Sequence, residues 1–335
     1  MVTPSSFHVT PGSRFHLGEV ACTPQARIHP EYPTIYERST LWTGEYLPMA
    51  DERARRRLLE NDYPAWDAMI FPAPARAERV FHTSRITALL FEVDDLSLLH
   101  NGLFGDIVTE WRASSHPYGR AFADLFDTFE RNMPPRVYDR FLAAWRTWFE
   151  ATLEELEYRK SLQVPDLDRY LQARSYTIAM RVYQIAAEYV LDLDLTDLLD
   201  ADPDFTTARE AAIRHIMLVN DLFSLRTEAF GGEIFNAVMI IRYRNGGRLP
   251  EAVDDVRRLI AEADDAFAQV SGRLRDRYPD PDVHRYLDTL GTMCSGNLRW
   301  SRTTTRYNGS ATAWNGRSTG TVTLHHDRTT IGPAS

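Results

Sequence analysis

The sequence predicts an all-α protein, and three observations carry that prediction. Apolar residues recur at three- and four-residue steps through long segments, the period of one helix face. Strand-like alternation of β-branched residues is scarce before Thr303. Proline and glycine fall where helices should end: Pro72 and Pro74, Pro134-Pro135, Pro165, Pro203, Gly231-Gly232, Gly246-Gly247 and Pro279 to Pro281. Between these breaks roughly eight to ten helices of ordinary length fit.

Taken in order along the chain, residues 1–25 are poor in large apolar side chains and are expected to be a flexible N-terminal segment. Residues 76–100 form a helix whose stripe of Thr83, Thr87, Leu90 and Phe91 leads to Asp94, with Asp95 beside it. From Phe141 to Leu156 the stripe is Leu142, Trp145, Phe149, Leu153 and Leu156. Residues 205–228 carry Ile213, Ile216 and Met217 on one face. Asp254-Asp255 and Asp264-Asp265 sit among Arg257, Arg258 and Glu262, which reads as a solvated helix face. Residues 308–335 are rich in Thr, Ser, Gly and Asn and are expected to be a polar, mobile tail. The body, 26–307, is read as one domain, and no repeat of fixed period points to a solenoid.

Composition excludes several partners. With 38 basic against 47 acidic residues the net charge is −9, so no clustered cationic surface for nucleic acid or anionic membrane is expected. No stretch reaches the roughly 18–20 apolar residues of a membrane span, and Met1 to Arg14 lacks the apolar core of a signal peptide. The two cysteines, Cys22 and Cys294, are far apart and show neither disulfide-framework nor zinc-ligand spacing. The chain is read as cytoplasmic.

Two helices turn polar halfway along an inward face. Continuing the stripe of 205–228 in four-residue steps gives Asn220, Ser224 and Glu228. A buried polar group costs a few kcal/mol, roughly, unless it is satisfied, so this continuation implies a wet or ligand-filled cavity. Amide oxygen, hydroxyl and carboxylate are hard donors of the kind Mg²⁺ takes. The helix over 76–100 repeats the pattern, and its Asp94-Asp95 pair is embedded in Phe91, Val93, Leu96, Leu98 and Leu99. Asn220 and Glu228 stand roughly 12 Å apart along a straight axis. Chelating one ion therefore requires the glutamate to lean towards the N-terminus or the helix to bend.

These residues resemble those of bacterial class I terpene synthases. Asn220-Asp221-Leu222-Phe223-Ser224-Leu225-Arg226-Thr227-Glu228 resembles the family's second metal motif, and Phe91-Glu92-Val93-Asp94-Asp95 resembles the start of its aspartate-rich motif. Arg174, 46 residues before Asn220, has the spacing of the family's diphosphate-sensing arginine. Asn297-Leu298-Arg299-Trp300 leading to Arg306-Tyr307 is similar to its C-terminal pocket helix with an Arg-Tyr pair.

The resemblance covers about residues 26–307 and implies a single-domain helical bundle around a central apolar cavity. It implies a cyclase that ionises a linear isoprenyl diphosphate, farnesyl or geranylgeranyl, and closes the carbocation to a terpene hydrocarbon or alcohol. Of three Mg²⁺ ions, Asp94 would hold two, and Asn220, Ser224 and Glu228 the third. Arg174, Arg306 and Tyr307 would bind the diphosphate. Leu90, Phe91, Asn297 and Trp300 would face the substrate, as would Thr177 and Ile178, where the family places a backbone that bends on binding. Arg226 would add a diphosphate contact. Homodimers are common in the family.

Two positions depart from the pattern. Leu98 and Leu99 stand where an acid is expected three or four residues after Asp95. Thr227 stands where a Lys or Arg often precedes the final Glu, and Arg226 is displaced from it by about 100° around the helix. A prenyl diphosphate synthase is the nearest alternative, but a second Asp-Asp-x-x-Asp is absent. A catalytically impaired isoprenoid-binding protein is the other.

Overall fold

Helices form through the described parts of the segments expected to be helical, and several of the prolines that mark the breaks open helices. The computed structural model describes residues 9–49, 51–96, 112–114, 116–161, 163–309 and 316–333, with side chains 94–96 outside the description. The helices are α1 (Tyr32–Tyr46), α2 (Glu52–Glu60), α3 (Tyr63–Ile70), α4 (Ala77–Leu96), α5 (Gly119–Asn132), α6 (Pro135–Lys160) and α7 (Leu167–Thr177). They continue with α8 (Met180–Leu191), α9 (Thr196–Ala201), α10 (Pro203–Phe230), α11 (Ala237–Arg244), α12 (Leu249–Arg277), α13 (Pro281–Thr303) and α14 (Thr305–Asn308). Pro135, Pro203 and Pro281 each occupy the first helical position, where the missing N–H is no loss. Asp202 and Asp280 cap the two later starts by accepting from the amides of Asp204 and Asp282.

The core lies between α10 and its neighbours. α10 packs along α12 and α13, and α13 in turn packs on α3. At Gly296 on α13 an added Cβ would stand 2.6 Å from the Met69 carbonyl carbon of α3, so only glycine permits this approach. A second cluster of rings joins α5 to α6: Phe122, Phe126, Phe129, Phe141 and Trp145 are all fully buried and in mutual contact.

The two chain ends correct the sequence reading. Residues 1–25 and 308–335 were expected to be mobile, yet parts of both pair in one antiparallel sheet, ordered β1 (Arg14–Leu17), β2 (Gly320–Leu324), β3 (Thr329–Gly332). Phe15 pairs with Val322, and Val322 with Ile331. The tail has few large apolar residues, but Val322, Leu324 and Ile331 alternate with polar ones and are buried, as are Phe15 and Leu17. That period-two pattern gives the sheet one apolar face, which packs against Leu222, Phe223 and Leu225 of α10. No helix among the described residues is long and apolar enough to cross a membrane.

Candidate active site

The polar half of α10 meets α7, α11 and α14, and a chain of hydrogen bonds ties them together. Arg174 of α7 donates through Nη2 to Asn220 Oδ1 at 2.7 Å. Asn220 Nδ2 donates to the Tyr307 hydroxyl of α14 at 2.6 Å. Three residues distant in sequence, each expected at a diphosphate and metal site, thus stand in direct contact.

Asp221 turns away from this line into the protein. Its Oδ2 accepts from the Tyr170 hydroxyl at 2.7 Å and from the Ala237 amide at 2.9 Å, while Oδ1 faces Arg174 at 3.4 Å. Burial raises the Asp221 carboxyl above its ordinary value, and Arg174 is the chief opposing influence. Burial works against the Arg174 charge, but Tyr170, Asp221, Glu155 and Glu228 around it raise its pKa overall. Arg174 therefore stays cationic where it stands.

Further along the same face, Glu228 Oε2 accepts from Asn236 Nδ2 at 2.7 Å. Burial pushes its carboxyl up to about 7, Asp221 adding to the shift and Arg174, Asn236 and Ser224 opposing it. Between Asn220 and Glu228, Ser224 Oγ is buried without a hydrogen bond of ordinary geometry. A buried hydroxyl flanked by an amide oxygen and a carboxylate is a donor set that a hard divalent cation satisfies, so these residues fit a metal.

Asn236 escaped the sequence reading. Its Oδ1 caps α11 through the amides of Val238 and Met239, and its Nδ2 holds both Asp221 O and Glu228 Oε2. The signal was an asparagine just before a helical run, ordinarily the mark of a cap and nothing more. Tyr170 likewise lay one turn before Arg174, on the same face.

An aromatic wall adjoins the polar chain. The Phe91 and Trp300 ring centroids are 5.8 Å apart, and Trp300 meets Tyr307 edge to face at 5.5 Å. The Arg306 guanidinium stacks over Phe91 at 4.4 Å, and Leu90 packs against the core beside it. Asp94 lies on the last turns of α4, its side chain outside the described residues, as Leu98 and Leu99 are altogether.

Thr177 and Ile178 end α7. Ala179 then adopts a left-handed conformation, φ 62°, before α8 begins, so the helix breaks one turn after Arg174. Thr177 Oγ1 donates to Glu155 and its carbonyl accepts from Trp148.

Two of the expected residues have partners elsewhere in the chain. Arg226 does not reach the polar face: it is buried on the far side of α10, donating to Tyr307 O at 3.0 Å and His326 O at 3.2 Å. One position is about 100° of rotation, enough to send it to the terminal sheet. Asn297 is equally committed, its Oδ1 accepting from Trp66 Nε1 and its Nδ2 donating to Ile216 O. It fastens α3 and α10 to α13.

Residues 85–266 match the family model for terpene synthase family 2, C-terminal metal binding. The chain is 27% identical over 342 residues to an (E)-2-epi-beta-caryophyllene synthase of Selaginella moellendorffii, covering 96% of this chain and 93% of that protein. It is 26% identical over 298 residues to a (+)-eremophilene synthase of Sorangium cellulosum, covering 85% and 90%. The fold is similar to that of hedycaryol synthase solved in complex with nerolidol, with a TM-score of 0.74 at 24% identity, covering 85% of this chain and 100% of that one.

Proposed function

This chain belongs to the terpene synthase family, and on that premise we propose that it uses Mg²⁺ to ionise farnesyl diphosphate and cyclises the resulting carbocation, releasing diphosphate. The products in the relatives' names, an epi-caryophyllene and an eremophilene, support farnesyl over geranylgeranyl diphosphate. A cytoplasmic setting suits a chain of this charge and cysteine content.

The observation that carries the reading is the contact of Arg174, Asn220 and Tyr307 on the face that continues to Ser224 and Glu228. Asn220 Oδ1, Ser224 Oγ and the Glu228 carboxylate would hold one divalent ion, and Asp94, from the opposite motif, two more. When bound, such ions neutralise the charge that builds on the departing diphosphate.

The chain's own groups supply the rest. Arg174 now covers Asn220 Oδ1, so that oxygen serves as a ligand only when the guanidinium lets go of it. Once released, its planar fork is free to bind phosphate oxygens in pairs. Tyr307 hydroxyl, freed from Asn220, adds a donor beside Arg306. Arg306 leaving Phe91 for an anionic group would uncover that ring's face for the carbocation. The break at Ala179 gives the segment beside Arg174 a place to bend. Breaking the allylic C–O bond yields diphosphate and a carbocation, and loss of a proton or capture of water completes the product. The half-buried Phe91 ring and the buried Trp300 and Tyr307 rings would limit the access of water until then.

Incubating the purified protein with geranyl, farnesyl and geranylgeranyl diphosphate, with and without Mg²⁺, tests this by gas chromatography and mass spectrometry. A cyclic product from farnesyl diphosphate only with Mg²⁺ is expected. No product from any substrate would overturn the reading in favour of a binding protein.

A further inference from the structure

His215 sits on α10 five residues before Asn220, turned to a different side of the helix, and is fully buried. Its Nε2 lies 2.9 Å from the Ala21 carbonyl oxygen. A carbonyl only accepts, so Nε2 carries the proton, and burial keeps the ring neutral. Nδ1 is then a bare lone pair, buried and with no hydrogen-bond partner. One nitrogen of this ring, Cys22 Sγ and a carboxylate oxygen of Asp264 all lie within 4.8 Å of one another.

We propose that Cys22 Sγ, His215 Nδ1 and the Asp264 carboxylate form a zinc-type metal site that staples the N-terminal segment to α10 and α12, separate from the hard-oxygen site at Asn220, Ser224 and Glu228.

The three consecutive residues 21–23 each have a part in it. Ala21 O orients the imidazole so that its lone pair is on Nδ1. Cys22 brings the thiol, which is only weakly engaged, 3.8 Å from Pro24 O. Thr23 holds the Asp264 carboxylate through its amide at 2.9 Å and its hydroxyl at 2.7 Å. A carbonyl behind a ligating histidine and donors behind a ligating carboxylate are what fix metal ligands in place.

Thiolate, imidazole and carboxylate together select a softer ion than Mg²⁺. Donors around a tetrahedral zinc stand roughly 3.3–3.8 Å apart. Closing the observed triangle by about an ångström is within reach of the Cys22 and Asp264 side-chain torsions. Binding of the ion would release the Cys22 thiol proton, since the thiolate is the ligand. A water completes the fourth position, as tetrahedral zinc with three protein ligands requires.

The test uses the full chain, stripped with chelator and returned to Mg²⁺ buffer. Co²⁺ alone is titrated, and the thiolate-to-cobalt charge-transfer absorption is read. Saturation at one equivalent, displacement by Zn²⁺ and loss of the band in Cys22→Ser are expected. The band is also expected to persist in the Asn220→Ala variant, whose site contains no thiol. Zn²⁺ should raise the melting temperature of the unmodified chain and leave that of Cys22→Ser unmoved. No band in the unmodified chain, or an equal band in Cys22→Ser, would overturn the proposal. Neither result depends on whether a terpene is formed.

Discussion

Glu228 shows how a single side chain divides stability from function. A buried carboxylate beside Asp221 is costly to the fold, whereas an amide of the same shape is not. Glu228→Gln is therefore expected to melt at the same temperature as the unmodified chain or higher, while product formation falls at least roughly 100-fold for want of a charged metal ligand. Calorimetry and a product assay on the same preparation read both. Asp67 makes a separate prediction, because it is buried in the core and is none of the proposed metal ligands. It is fully buried, with Oδ2 accepting from Thr87 Oγ1 at 2.6 Å and Oδ1 without a partner. Burial pushes its carboxyl up to about 8. Folded Asp67 thus keeps a proton that the unfolded chain releases near pH 4, so its stabilisation is complete below about pH 4 and is lost as pH rises to about 8. The slope it contributes is at most about 1.4 kcal/mol per pH unit. Denaturant unfolding of Asp67→Asn is expected to show less loss of stability between pH 5 and pH 8 than the unmodified chain. Equal slopes would place the proton elsewhere.

At the scale of elements, α10 is the member on which the rest depends. One face holds Asn220, Ser224 and Glu228, and the other buries Arg226 against α14 and the terminal sheet. Arg226 fixes the backbone oxygen of the same Tyr307 whose hydroxyl meets Asn220. Arg226→Met is expected to lower product formation roughly tenfold, the equivalent of about 1.4 kcal/mol, with the metal ligands untouched. An unchanged rate would show that α14 holds its place without Arg226. The approach of α13 to α3 is equally specific. In Gly296→Ala the new methyl meets the Met69 backbone, which cannot yield as a side chain would. A loss of about 1–3 kcal/mol and a melting temperature lower by several degrees are expected. Neither of these dependencies was legible in the sequence. Helical period located α10 and the polar turn of its inner face, since those depend on spacing alone. Where Arg226 and Asn297 point depends on which neighbours lie 100° further round, and spacing carries nothing about those.

For the molecule as a whole, the sequence read correctly as all-α because helix is a local property, written in steps of three and four residues. The terminal sheet is not local. It joins residue 15 to residue 322, and each strand alone is too short and too polar to announce itself beside hundreds of residues of helix. Cys22, His215 and Asp264 were hidden for the same reason, since no Cys-His spacing survives a separation of 193 residues between the first two. The site itself was legible to the extent that its residues sit in motifs: Arg174, Asn220 and Tyr307 do converge, whereas Asn236 and Tyr170, which hold them from behind, looked like an ordinary cap and an ordinary core ring. In the proposed reading this convergence is the diphosphate and metal site, with Arg174 covering a ligand oxygen until substrate arrives. A crystal structure of the chain grown with Mg²⁺ and inorganic diphosphate tests it most directly. An ion on Asn220 Oδ1, Ser224 Oγ and Glu228 is expected, with Arg174 turned from Asn220 to the diphosphate. Diphosphate bound elsewhere, or bound with the Arg174–Asn220 contact of 2.7 Å intact, would contradict it.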